Sequence, residues 1–161
     1  MAHADAMPKR GFALVRALVL FAIAYVLVTV LAASISIFYG AANNLSGEPP
    51  PGQSILQAPA FVATVPYHVL VMLVIWPAFA WLYFAGRRGL EKRAEVRETA
   101  MLGVLWLIAA MVVDFVGFVV IDNPWKLTVH EFYIEYQPWI SLIYIAIFVS
   151  PWIRWGLARR R

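Results

Sequence analysis

Four stretches of the chain are almost unbroken in apolar residues: 12–39, 61–84, 101–121 and 138 to about 153. Crossing the ~30 Å hydrocarbon core of a bilayer takes about 20 helical residues, with a range of roughly 17–25. The first three runs reach that length. The fourth is shorter, and Trp152 and Trp155 extend it as interfacial aromatics do. None of the runs alternates polar with apolar residues, as barrel strands would. The pattern predicts an all-α membrane protein: a single four-transmembrane-helix bundle over residues 1–161. A cleaved signal peptide competes for the first run, with Lys9 and Arg10 as its basic region and Ala32, Ala33 and Ser34 at the cleavage site. Its apolar core should span only about 7–15 residues, so the longer run reads as a retained helix.

Between the runs, the polar segments differ in character. The first connector, 40–60, carries three consecutive prolines among Gly, Asn and Ser and reads as a solvated link that favours turns and extended backbone. The second, 85–100, mixes charges at helical spacing, with Glu91, Glu95 and Glu98 on one side. It reads as a solvated helical extension of the third span and a topological anchor. The third, 122–137, predicts a short amphipathic interfacial helix between spans three and four. Asn123 would cap it, Pro124 would occupy its first position and Pro138 would end it. Val129, Phe132, Tyr133 and Tyr136 would share its apolar face, with Glu131 and Glu135 on another. Such a helix either caps the bundle or forms a lid over a pocket.

Charge then orients the bundle. Lys9, Arg10 and Arg16 precede or begin the first span. Arg87, Arg88, Lys92, Arg93 and Arg97 lie between spans two and three, and Arg154, Arg159, Arg160 and Arg161 close the chain. Four spans put all three groups on one side and leave Lys126 on the other, with Glu48, Asp122, Glu131 and Glu135. The positive-inside rule makes the crowded side, and both termini, cytoplasmic. Composition agrees: 63% of the residues are hydrophobic, 14% are charged and the mean hydropathy is +0.75. A soluble chain is usually about 45–50% apolar and about 25% charged. The net charge of +4 is accounted for by topology, so a nucleic-acid partner is not expected. The absence of cysteine excludes disulfides and thiol chemistry.

Candidate chemistry is sparse. Ionisable groups inside a span are costly and need a partner or a role. Asp114 in span three and His68 in span two are the two candidates. Counted from the middles of their runs, they fall roughly 5 and 7 Å outward at ~1.5 Å per residue, so a His–Asp contact is geometrically possible. It would serve as a structural clamp or as a site for a proton, an ion or a ligand. The alternative leaves His68 at the interface, with Pro66 starting the helix, and gives Asp114 another partner such as Tyr25, Ser34 or Ser36. Pro77 inside span two should kink it. Ala13, Ala17, Ala24, Ala32, Ala33 and Gly117 would permit close helix approach. His130 and Glu131 begin like a zinc-peptidase motif, but Ile134 stands where its second histidine would be. Neither a metal nor a cofactor is expected: His3 lies in a polar tail, and with His68 and His130 the only other histidines a bis-His haem within the bilayer is not expected.

No motif of a known family stands out. Three functions compete. The first is binding or transport of a lipid, quinone or other hydrophobic small molecule in a pocket open to the outer face, using His68, Asp114, His130, Glu131 and Glu135. The second is a non-catalytic subunit of a larger membrane complex, and the third a membrane enzyme acting on a lipid. Membrane lipids are the expected partners, with further copies of the chain or other membrane subunits. A bacterial inner membrane is the default location.

Overall fold

The computed structural model describes residues 12–87 and 89–159. Lys9, Arg10, His3, Arg88, Arg160 and Arg161, used above, lie outside the described residues. The chain forms four long helices: α1 (Leu14–Asn43), α2 (Pro59–Ala85), α3 (Lys92–Asp114) and α4 (Trp139–Ala158). With the continuation of α3 to Val120, each is long and apolar enough to cross a membrane. Among the described residues there is no strand. The apolar runs therefore located every long helix, with differences at the ends: α1 continues to Asn43, α3 begins at Lys92 within the charged connector and α4 continues to Ala158.

The helices run up and down in sequence. α1 packs along α2, α2 along α4 and α4 along α3, while α1 and α3 touch sparingly. Close approach is bought with small residues. A Cβ on Gly40 would stand 2.9 Å from Cβ of Ala60, and one on Gly103 would stand 2.7 Å from the carbonyl oxygen of Phe148. These glycines seat α1 on α2 and α3 on α4. Ala17 and Ala24 are fully buried as small contact residues. Gly117 has open space around it, so it is not a contact point.

The core is a ladder of aromatic and aliphatic side chains. Phe21 meets Trp76 with ring centres 5.6 Å apart, and Trp76 meets Trp106 at 5.3 Å. The Trp106 indole N–H donates to the Ala17 carbonyl at 2.9 Å, tying α3 to α1.

One end of the bundle gathers the described lysines and arginines of α1, α3, α4 and the connector after α2. Arg16 donates to the Leu82 carbonyl at 2.7 Å. Arg87 pairs with Glu98, and its Nη2 donates to Oε2 at 3.0 Å. Tyr83 donates to the other carboxylate oxygen at 2.6 Å. Arg154 pairs with Glu95 at 2.5 Å and lies over the Phe84 ring. α3 does begin as a helical extension into the charged connector, as expected. Its polar side is not uniformly solvated, however. Glu98 and Arg87 are buried, because the extension folds against the end of α2 and the two charges satisfy each other there.

The opposite end is built differently from expectation. The first connector sends Ile55, Leu56 and the buried Ala58 into the bundle, so it is partly a structural plug. In the third connector the helical turn begins near Val129 and continues through Glu131–Glu135, wound as a π-helix in which Tyr136 N–H donates to the Glu131 carbonyl. Asn123 does not start it. The Asn123 side chain donates to the Gly117 carbonyl at 2.8 Å and accepts from the Trp125 N–H at 2.8 Å, closing the end of α3. The cap is Thr128. Its N–H donates to Glu131 Oε2 at 2.6 Å and its hydroxyl accepts from the Glu131 N–H at 3.2 Å, a reciprocal capping box. Phe132 and Tyr136 are buried and Tyr133 half-buried, but Val129 is 55% exposed. The wider winding rotates the buried face away from Val129.

Candidate functional site

α3 changes winding directly after Asp114: Phe115–Val120 is a π-helix. Such insertions recur at functional sites because they re-aim side chains and loosen neighbouring contacts. A cavity of about 480 Å³ lies among all four helices at this level, where α1 and α3 pack sparingly. Trp76 and Asp114 lie toward its basic-end limit, with Met72, Ile143 and Ile147 along its sides. Leu127, Phe132 and Tyr136 of the third connector close the far end, joined by Ile55 and Leu56 of the first. Both connectors are thus walls of the same space. The lining is mainly apolar, and its polar groups are few. Ala33, Thr29 and Ile37 of α1 line it while remaining exposed, so the cavity reaches the surface of the bundle along α1.

Asp114 is only 7% exposed. It accepts a hydrogen bond from the Tyr25 hydroxyl of α1. Tyr144 of α4 interacts with the same carboxyl and with Tyr133, through a hydroxyl buried without a well-formed hydrogen bond. Tyr136 lies within electrostatic range of the carboxyl as well. Tyr25 is one of the three partners weighed from the sequence. Tyr144 was not foreseen, since nothing in the sequence pairs α4 with α3 at that height.

His68 is 4% exposed and also lines the cavity. Its Nε2 lies 3.1 Å from Ser36 Oγ, which lies 2.7 Å from Thr64 Oγ1. The Phe61 ring packs against the imidazole at 5.6 Å and against Tyr136 at 5.8 Å. His68 and Asp114 therefore share a cavity but make separate contacts. Their partners on α1, Ser36 and Tyr25, are about three turns apart, roughly 16 Å along the axis. Counting depth from the middle of an apolar run assumes straight, level spans, and α3 is neither charged-free at one end nor regularly wound at the other. Pro66 is not a helix start. α2 begins at Pro59, which places Pro66 and Pro77 inside the helix and His68 within the bundle.

The loop candidates sit outside this space. His130 Nε2 is 3.6 Å from Glu135 Oε1, with both side chains exposed. Glu131 is occupied with the cap, and the Thr128 backbone N–H, then the Thr128 hydroxyl, hold its carboxyl below its ordinary range. Among the described residues, no group of three His, Asp or Glu could hold a metal ion. Of the five sequence candidates, the structure brings His68 and Asp114 to one cavity and leaves His130, Glu131 and Glu135 on its outside.

No family model, curated protein or solved structure matches the chain.

Proposed function

We propose that the chain is a multi-pass membrane protein that binds a hydrophobic small molecule in the cavity between its four helices. The observation that carries this reading is the cavity itself. At about 480 Å³ it falls within the range of ligand sites, ~300–1,000 Å³, and it pairs an apolar wall with a few convergent polar groups. A well-packed bundle has few voids larger than a water molecule. This one is walled by both connectors at one end and reaches the surface along α1 at Thr29, Ala33 and Ile37, on a face that a bilayer would cover. In this reading the basic end faces the cytoplasm and the cavity lies in the outer half.

The enzyme reading draws no support from the loop carboxylates, because Glu131 is committed to a cap and Glu135 to an exposed contact with His130. The test is native mass spectrometry of the purified protein and of Ala32→Trp. Ala32 lines the cavity, and an indole there would fill it. The wild type is expected to retain a discrete small-molecule adduct that the folded variant lacks. Equal spectra from both would refute the proposal.

A further inference from the structure

The second feature of the cavity is its charge balance. Asp114 is a carboxyl at the wall of an apolar space, inside a helix long enough to cross a membrane. Among the described residues, no lysine or arginine lines that space. The cationic side chains gather at the basic end, and Lys126 pairs with Asp122 at 3.4 Å outside it. The groups that face Asp114 are phenols: Tyr25 from α1, Tyr144 from α4 and Tyr136 from the connector before α4. From α2, His68 is the titratable group on the wall, and it contacts Ser36 rather than Asp114. Hydrogen bonds from phenols orient a carboxylate but do not cancel its charge. A bare carboxylate in such surroundings is too costly to persist, so it is either protonated or matched by a positive charge.

Aromatic rings make the second option chemically available. Phe61, Trp76, Phe118, Phe132 and Tyr136 line the cavity with Tyr25. Aromatic faces attract ammonium groups, most strongly where water is excluded. Resting on the binding function proposed above, we infer that the cavity selects an amphiphilic organic cation, an ammonium group bearing an apolar substituent, and that this cation exchanges with the proton on Asp114. On binding, the carboxyl O–H bond breaks, the proton leaves to solvent and the carboxylate pairs with the ammonium. One monovalent cation enters for each proton released, so the charge of the site is unchanged.

The experiment compares two probes of nearly the same shape. Benzyltrimethylammonium carries a charge, and neopentylbenzene has carbon in place of nitrogen. Binding to the full-length protein in a non-ionic detergent is measured by titration calorimetry, with partition into empty micelles subtracted. In the wild type the cation is expected to bind at least about ten-fold more tightly than its neutral isostere, equivalent to ~1.4 kcal/mol. Measurements in buffers of different ionisation enthalpy should show one proton released per cation. Lowering the pH should weaken cation binding, because protons compete for the same carboxyl.

Asp114→Asn keeps an acceptor for Tyr25, and its folding is checked by thermal unfolding. In it the ratio of the two affinities should fall to near one and proton release should vanish. A wild type that binds both probes equally, or a folded Asp114→Asn that keeps the preference, overturns the inference while the hydrophobic site stands. A folded wild type that binds neither probe overturns both.

Discussion

At the scale of single residues, the polar groups divide into two kinds. Some hold the fold and some face the cavity. Glu98 is of the first kind: it accepts from Tyr83 and pairs with Arg87 out of water. Removing the carboxylate takes an acceptor from the Tyr83 hydroxyl and the counter-charge from a buried guanidinium, so Glu98→Ala should cost about 1–3 kcal/mol. Replacing both with apolar residues, Arg87→Met with Glu98→Leu, should cost less than the single change. Detergent-denaturation curves of the three proteins check this, and a double variant worse than the single would contradict the pairing. Glu131 gives a pH signature. Its folded carboxyl is held below the ordinary range, so the cap's contribution is complete above the carboxylate range of about 4 and fades as pH falls through the folded value. The protection of the Thr128 amide, its exchange rate relative to the intrinsic rate at each pH, should therefore fall on acidification in the wild type and stay constant in Glu131→Gln. The cap was written in the sequence as Thr-x-x-Glu, but Asn123–Pro124 offered a second start signal, and local rules do not rank the two. Tyr25 was recognisable as a partner for Asp114 because it is a polar residue inside the first apolar run. The burial of Glu98 was not, since a charged turn looks the same whether it meets water or another helix.

At the scale of elements, length and apolar continuity were enough to place the four long helices, because only helices of that length satisfy their backbone inside an apolar medium. Contacts between helices depend on shape, and Gly103 shows how finely. α4 approaches α3 so closely there that any side chain must displace backbone. Gly103→Ala is expected to destabilise by about 1–3 kcal/mol through overpacking. Gly117→Ala, with open space around it, should lie within the ~0.5 kcal/mol usual for substitutions away from special features. Thermal unfolding of the pair separates the two sites, and similar losses would show that the α3–α4 contact is looser than described. The π-wound continuation of α3 was not legible in the sequence. Its residues are as apolar as those before them, and the change of winding follows from how α3 ends: Asn123 holds the Gly117 carbonyl, and Leu127 N–H donates to the Phe118 carbonyl at 2.7 Å.

At the scale of the whole molecule, the grouping of basic residues predicted an up-and-down bundle with one charged end, and the described contacts of Arg16, Arg87 and Arg154 meet at one end accordingly. A pocket shared by His68 and Asp114 beneath the third connector is an expectation of the sequence, and both residues line the cavity with Phe132 and Tyr136, but its remaining walls are not legible there. Ile55 and Leu56 of the first connector fold inward to complete it, and that connector, read from its Pro, Gly and Asn residues, looks like a solvated link. Occupancy of that cavity is the central claim, and the most direct measurement is photo-crosslinking in cells. Benzoylphenylalanine is placed at Met72, on the cavity wall, or at Val74, which is 67% exposed on the outside of the bundle. The account predicts an adduct of one discrete small mass at position 72 and a heterogeneous set of bulk lipids at position 74. Crosslinks at position 72 that are purely intramolecular, or that reproduce the lipid mixture of position 74, would contradict it.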